Sequence, residues 1–212
     1  VCTGMPLFDA ICNAFGTAGT GGFGILNSGI GQYNNVVWEV IITIFMFLFG
    51  GNFNLYFFVL MWDIKGILGC EEVKWYGIIT LSFITLITLN LWPYYDSFWE
   101  ALRYSSFQVS SIITTTGFAS TDFNLWPQFS KTLLFILMFI GACAGSTGGG
   151  VKISRWMIII KKLRNTITKV LHPRSVKIVT LEGKAVDDDV INEVFVFFLL
   201  FMLVFFTSFI LV

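Results

Sequence analysis

Two short tracts rich in threonine and glycine stand out in a strongly apolar chain. The first reads Thr-Gly-Gly-Phe at residues 20–23, and the second reads Thr-Thr-Gly-Phe at residues 115–118, 95 positions later. Extended backbone with glycine can aim successive carbonyl oxygens at one point, and a threonine hydroxyl adds a further oxygen. Uncharged oxygens of this kind can replace the hydration shell of a cation such as potassium without trapping it. The candidate ion-binding residues are Thr20, Gly21, Gly22, Phe23, Thr115, Thr116, Gly117 and Phe118, and each phenylalanine is expected to pack outward as a brace.

Two other interpretations of these tracts are possible. Residues 19–24 match the GxGxxG pattern of a dinucleotide-binding loop, but no strand precedes them and no βαβ unit with an acid about 20 residues on follows. Small residues can also mark tight contacts between membrane helices. The recurrence of the same residue types in the same order favours the ion-binding interpretation over simple helix packing.

A glycine-rich run at residues 145–150 is the second candidate for function. The apolar segment before it, 128–141, is only about 20 Å long as a helix, and each glycine resists helix by about 1 kcal/mol relative to alanine. We therefore expect a mobile, non-helical loop that gates the path through the tracts, whereas residues 45–60 are expected to continue as helix through Gly50 and Gly51. A phosphate-binding P-loop is disfavoured because Val151 separates the last glycine from the lysine. The candidate gate residues are Gly145, Ser146, Thr147, Gly148, Gly149 and Gly150.

Two cations, Lys152 and Arg155, follow the glycine run on one helix face. They could anchor the loop or form a cationic barrier at the inner mouth. They could equally extend toward the membrane interface as isolated side chains.

Composition places these tracts in a membrane protein. The chain has 212 residues, of which 56% are hydrophobic and 12% charged, with a net charge of zero. Zero net charge gives no field that would recruit nucleic acid, so no nucleic-acid partner is expected. Three apolar runs, 36–60, 75–92 and 194–212, are each long enough to cross or nearly cross a hydrocarbon layer of about 30 Å.

The elements around the two tracts form a repeat. Each tract follows a short helical segment, 7–17 or 98–113, and precedes a polar loop and a longer apolar helix. Non-helical backbone at membrane depth survives only where it lines a water-filled path or is buried in protein. The expected fold is therefore an all-α polytopic membrane protein made of repeated helix–pore-loop–helix units, as in a potassium-channel-like pore.

Charge distribution predicts the orientation. Eight of the 13 lysines and arginines lie within residues 152–177, which contain no acid. By the positive-inside bias this segment is cytoplasmic, where it would meet lipid headgroups or a partner. The polar loops after the tracts, 27–35 and 119–129, are then outside.

Three stretches carry a family resemblance. The Thr-Gly tracts, "MFIGACAGSTGGGVKISR" at 138–155 and "HPRSVKIVTLEGKAVDDDV" at 172–190 resemble the Trk/Ktr/HKT superfamily of potassium transporters, and the last two are most similar to the TrkH-type membrane subunit of the bacterial Trk branch. The resemblance implies four pore units, potassium as the bound and transported ion, a homodimer, a cytoplasmic nucleotide-binding (TrkA-like) regulatory subunit and a bacterial plasma membrane. Glycine at the family's filter position, Gly22 and Gly117, implies preference for potassium over sodium.

The resemblance also divides the chain. Residues 1–74 would be the pore helix, filter segment and second helix of the second unit, residues 75–189 the complete third unit, and residues 190–212 the first helix of the fourth. The chain is thus expected to be a piece of a longer protein. No covalent cofactor and no enzymatic activity are expected; a proton- or sodium-coupled symporter of the same fold and a polytopic membrane enzyme remain alternatives.

Overall fold

The computed structural model describes residues 1–26, 29–63, 66, 69–172 and 178–211, which are mostly helical. In chain order the α-helices of this part are α1 (Leu7–Ala18), α2 (Val36–Phe49), α3 (Phe53–Leu60), α4 (Glu71–Leu91), α5 (Phe98–Ile113), α6 (Gln128–Ile140), α7 (Ile153–Leu171) and α8 (Asp188–Leu211). Short 3₁₀ turns occupy Ile30–Tyr33, Trp92–Tyr94 and Phe123–Leu125. A two-stranded antiparallel hairpin, β1 (Thr180–Leu181) with β2 (Lys184–Ala185), precedes α8.

Among the described residues, two helical segments are long and apolar enough to cross a membrane: Glu71–Tyr94, which is α4 with its terminal turn, and α8. The pair α2 and α3 would make a third span if its two halves are counted together. These segments correspond to the three apolar runs of the sequence. The expectation of an all-α membrane fold is confirmed.

The expectation that residues 45–60 form one continuous helix is wrong. α2 ends at Phe49, α3 begins at Phe53, and their axes differ by 95°. A side chain at Gly50 would lie 2.5 Å from both Thr114 and Tyr76, so the chain at this point is pressed against the neighbouring repeat. The Asn52 side chain then accepts a hydrogen bond from the Asn54 amide at 2.9 Å and starts a new helix. Both repeats therefore contain a broken helix.

α5 lies at the centre of the molecule, between α2 and α4. It begins at Ser97, whose hydroxyl accepts a hydrogen bond from the Glu100 amide at 3.2 Å. Its fully buried apolar side chains are Ala101, Phe107, Val109 and Ile113. Toward α4, Ser105 shares a 2.5 Å hydrogen bond with Thr88. α5 thus carries the second tract on a helix that is held from both sides.

A buried ion pair joins the two repeats. Arg103 Nε of α5 lies 3.3 Å from Glu39 Oε2 of α2, and the side chains are 20% and 5% exposed. The two atoms are close but not aligned as a hydrogen bond. Their contact is therefore mainly electrostatic.

Removing one partner of this pair is expected to destabilise the protein more than removing both. Glu39→Leu removes the nearer counter-charge of Arg103 and leaves only Glu100, at 4.0 Å, which should lower the free energy of unfolding by about 3 kcal/mol. The double variant Glu39→Leu, Arg103→Leu should recover most of that loss, because two apolar side chains replace two charges. Chemical unfolding of the full-length protein in detergent micelles measures both. Equal stability of the single and double variants would show that the pair carries no such coupling.

The hairpin and the basic helix α7 pack together at one end of the molecule. Lys161 of α7 donates to Glu71 of α4 at 2.6 Å and to the Thr180 carbonyl at 2.8 Å. Lys162 pairs with Asp188 at 3.2 Å in the first turn of α8. Of the basic segment 152–177, residues 173–177 lie outside the described part of the chain.

Candidate ion-conduction site

The two tracts have the same backbone conformation. Thr20 and Thr115 both have positive φ, at 48° and 59°, and Gly22 and Gly117 both have positive φ, at 67° and 87°. Each tract follows directly on a helix, α1 or α5, which ends two residues before the first threonine. The sequence repeat therefore corresponds to a repeated backbone conformation in the structure.

The hydrogen bonds of the two tracts also correspond. The two amides that follow Thr20 both donate to the Gly16 carbonyl, at 2.9 and 3.3 Å, and the two amides that follow Thr115 both donate to the Ser111 carbonyl, at 2.9 and 3.3 Å. Each helix end thus draws the N–H groups of its tract toward itself.

This arrangement leaves carbonyl oxygens free. Within the described part of the chain, no donor is hydrogen-bonded to the carbonyl oxygens of Thr20, Gly21, Gly22, Thr115, Thr116 and Gly117. Backbone oxygens without a donor need another partner, either water or a cation. Neither tract carries a charged side chain, so its attraction for a cation is entirely dipolar.

The tracts lie directly against each other. A Cβ atom built on Gly22 would lie 1.8 Å from the Thr116 carbonyl oxygen, so only glycine fits there. A Cβ on Gly117 would meet nothing within 4 Å. The two equivalent glycines therefore differ in what they allow. Gly22 permits the close approach of the two tracts, whereas Gly117 is needed only for its positive φ.

The side chains behind the second tract fix its shape. The Ser111 hydroxyl donates to the Phe118 carbonyl at 2.6 Å, and the Thr114 and Thr116 hydroxyls are 2.7 Å apart. Phe118 is 2% exposed and packs in a cluster that includes Phe107. Its ring thus has the position of a brace.

The first tract is not braced in the same way. Phe23 is 83% exposed, although it occupies the position equivalent to Phe118. The polar loop after this tract is held instead through Tyr33, whose hydroxyl donates to Asp9 at 2.8 Å. Burial, reinforced by this hydrogen bond, raises the pKa of Tyr33 above its ordinary value.

An open cavity of about 640 Å³ lies at the C-terminal end of the two tracts. Its lining includes Gly22, Gly117, Gln32 and Asp122. Ions could reach the tracts from solution on this side.

The glycine-rich loop lies at the opposite, N-terminal end of the tracts. The Thr20 hydroxyl donates to the Thr147 carbonyl at 2.9 Å, and the Gly149 amide donates to the Thr115 hydroxyl at 2.6 Å. The loop is therefore bonded to the first residue of both tracts. The sequence-predicted tract and gate residues form one continuous site, although the bonded residues Thr20 and Thr147 are 127 positions apart in the chain.

The two cations after the loop make different contacts. The Lys152 ammonium donates to the Gly148 carbonyl, turning back into the loop. Arg155 donates to the Val151 carbonyl at 3.2 Å, and its guanidinium lies 4.0 Å from the ring centroid of Phe197 in α8. Lys152 therefore contacts the glycine-rich loop, and Arg155 links the start of α7 to α8.

Sequence reasoning missed two residues at this loop, Asn52 and Glu72. Glu72 is 3% exposed and accepts hydrogen bonds from the Ala144 and Ser154 amides and from the Asn52 side chain. In the sequence Glu72 reads as an ordinary acid in the first turn of a helix. Only the fold brings it to the ends of a loop more than 70 positions away.

Comparison with known proteins agrees with this geometry. The TrkH family, described as a cation transport protein, matches residues 2–212. The Trk system potassium uptake protein TrkH of Salmonella typhimurium is 35% identical over 97% of the chain, and TrkG of Escherichia coli is 36% identical over 94%. The crystal structure of the potassium transporter TrkH from Vibrio parahaemolyticus superposes with a TM-score of 0.90 at 32% identity, over 97% of this chain and 45% of that one.

These relatives are longer than the chain described here. The chain spans 43% of the Salmonella protein and 42% of the Escherichia coli TrkG protein. The similarity nevertheless runs along nearly the whole of this chain, so the resemblance seen in the sequence is confirmed. The chain belongs to the TrkH family of cation transport proteins.

Proposed function

We propose that the protein containing this chain takes up potassium through a pore, and that residues 20–23 and 115–118 are two of its selectivity-filter segments. The observation that supports this best is the repeated backbone geometry of the two tracts, which leaves six carbonyl oxygens without a hydrogen-bond donor. The relatives that match over nearly the whole chain are named as potassium uptake proteins. Potassium is accordingly the ion that we assign to these oxygens.

Ion selection in this proposal follows from backbone dipoles. Carbonyl oxygens and the hydroxyls of Thr20 and Thr115 replace water around potassium, and no carboxylate is present to hold the ion too tightly. The N–H groups of the tracts are turned into the ends of α1 and α5, so they do not oppose a cation.

The proposed gate is the loop of residues 145–150. Its hydrogen bonds to the first residue of each tract support this role, because a loop held there would lie across the path of an ion leaving the N-terminal end of the tracts. Lys152 adds a positive charge that would repel a cation there. Movement of α7 by a cytoplasmic partner would shift this loop, because α7 begins three residues after it.

The remaining assignments follow the family. In this proposal residues 1–74 and 75–189 are the second and third of four pore units and residues 190–212 begin the fourth, the protein is a homodimer in a bacterial plasma membrane, and the basic segment 152–177 faces the cytoplasm and a nucleotide-binding regulatory subunit.

Rubidium uptake by the full-length protein tests the filter assignment. In cells without their own potassium uptake systems, the unaltered protein should restore uptake at low external potassium. Gly117→Ser places a side chain at φ +87°, which costs roughly 1–2 kcal/mol, and should lower the potassium-over-sodium uptake ratio about 5–30-fold. The matched control is Gly77→Ser in α4, where a Cβ meets nothing within 4 Å. An unchanged ratio in Gly117→Ser would mean that this tract serves packing only.

A further inference from the structure

The carboxylate of Glu72, in the first turn of α4, joins three separate segments. Its Oε1 atom accepts hydrogen bonds from the Ala144 amide at 2.7 Å and from the Ser154 amide at 3.0 Å. Its Oε2 atom accepts a hydrogen bond from the Asn52 side chain at 3.3 Å. A buried carboxylate with three donors is a built site and not a solvated helix start.

Glu72 supplies a cap that α7 lacks in its own sequence. The residue before α7 is Lys152, which has φ of 78° and makes no side-chain capping bond. The first N–H groups of a helix need acceptors, and a carboxylate there also interacts favourably with the helix dipole. Glu72 provides both from 82 positions away, through the Ser154 amide.

The same carboxylate holds both ends of the gate loop. Ala144 lies just before the glycine run and Ser154 just after it, and both amides bind the same oxygen atom. The middle of the loop is bonded to Thr20 and Thr115. The loop is therefore fixed at its centre by the two tracts and at its ends by Glu72.

The loop has a backbone that requires such support. Two of its residues, Gly145 and Gly150, have positive φ, and so do Gly141 before it and Lys152 after it. For Lys152 this conformation is unfavourable. External bonds must compensate for this conformation, and loss of those bonds should release the loop.

Glu72 also connects the loop to the break of the other repeat. Asn52 lies in the break between α2 and α3, where the Gly50 carbonyl accepts a hydrogen bond from the Cys143 amide at 3.0 Å. The Phe53 amide donates to the Gly145 carbonyl at 3.1 Å. The break and the loop are thus one hydrogen-bonded unit, with Glu72 as its charged member.

We infer that Glu72 is the positioning residue that latches the gate loop in its blocking position, with Asn52 as its partner, and that opening requires release of this latch. This inference rests on the proposed function of the loop as a gate. Glu72 does not touch the ion in this scheme. It acts through the loop and through the start of α7.

The test is rubidium flux through the full-length protein in liposomes, with the potassium-over-sodium preference measured in the same preparations. Glu72→Gln retains one oxygen for the two amides but removes the charge and turns an amide NH₂ group toward the Asn52 NH₂ group. Asn52→Asp sets a second carboxylate against Glu72. Each single variant should raise basal flux about tenfold with unchanged ion preference, because charge-assisted bonds to the loop are weakened.

The double variant Glu72→Gln, Asn52→Asp separates latching from general damage. Its new amide can donate to its new carboxylate, so donor and acceptor are exchanged and the contact is restored. Basal flux should return to within about twofold of the unaltered protein. A purely structural role of Glu72 predicts less functional protein and lower flux in the single variants, and no such return.

The matched control is Glu71→Gln. Glu71 is adjacent, lies in the same helical turn and pairs with Lys161 at 2.6 Å, outside the loop. Its flux should stay within about twofold of the unaltered protein, since exposed ion pairs contribute little.

The outcomes distinguish the two proposals. If the unaltered protein shows no potassium-selective flux, the proposed function fails. If it is selective and Glu72→Gln assembles normally but gives equal or lower flux, the latch inference is overturned. Should Glu72→Gln fail to assemble, Asn52→Ser carries the same test, because a serine hydroxyl can still cap α3 in place of the Asn52 oxygen but is too short to replace the Asn52 bond to Glu72, which keeps its two amides. Unchanged flux in that variant overturns the inference.

Discussion

Replacing Gly22 with alanine is expected to lower potassium uptake by the full-length protein at least about 100-fold. The new Cβ would lie 1.8 Å from the Thr116 carbonyl oxygen, and because that atom is backbone it cannot move aside as a flexible side chain would. The residue also has φ of 67°, which an alanine adopts at a cost. Together, overpacking and strain of about 3 kcal/mol would force the two tracts apart and displace the carbonyl oxygens that are proposed to bind the ion. Rubidium uptake at low external potassium measures the loss.

Gly117→Ala is the control that separates contact between the tracts from the cost of a positive φ. It has the same kind of positive φ, at 87°, but a Cβ there meets nothing within 4 Å. Only the cost of a positive φ for alanine should act in this variant, so selective uptake should fall about 5–30-fold. Equal loss in both variants would show that contact between the tracts is not what Gly22 protects.

Replacing Gly148 with alanine is expected to raise basal ion flux about tenfold. A Cβ at this position would lie 2.6 Å from the Ala142 Cβ and 2.9 Å from the Thr114 carbonyl oxygen. The loop must then move away from the second tract, which weakens the hydrogen bond between the Gly149 amide and the Thr115 hydroxyl. Rubidium efflux from liposomes, without any regulatory partner, measures the effect.

Gly77→Ala in α4 serves as the control for this variant, because its Cβ meets nothing within 4 Å and it lies far from the loop in the chain. It should leave flux unchanged. If Gly148→Ala also leaves flux unchanged or lowers it, while the potassium-over-sodium preference is retained, the loop does not obstruct the path and the gate proposal fails.

The sequence predicted the helices that carry the tracts closely. The expected helix 98–113 is the observed α5, because Ser97 is a strong N-cap and the Thr-Thr-Gly run cannot continue the helix. The expected helix 7–17 differs from α1 by one residue at its end. Membrane runs and the repeat were accessible in the same way, since apolar length and local order are properties of neighbouring residues.

Features that depend on distant contacts were not accessible. Gly50 and Gly51 lie in an apolar run that looks like a continuous helix, and the break follows from packing against Thr114 and Tyr76 of the next repeat. Glu72 gave no signal because its donors are 20 to 82 positions away. The different surroundings of Phe23 and Phe118 were also hidden, since the two tracts look alike in sequence.

If the loop is the gate, its hydrogen bonds to the tracts couple ion binding to loop closure. The Thr115 hydroxyl accepts from the Gly149 amide and donates to the Thr114 carbonyl, so the closed loop occupies one of the two lone pairs of this oxygen. An ion at the first residues of the tracts and the closed loop therefore compete for the same oxygen. Linkage makes this effect reciprocal: if closure of the loop lowers the affinity for the ion by some factor, a bound ion lowers the equilibrium constant for closure by the same factor. The transported ion would then also act as an effector of the proposed gate, because a higher ion concentration would favour the open loop.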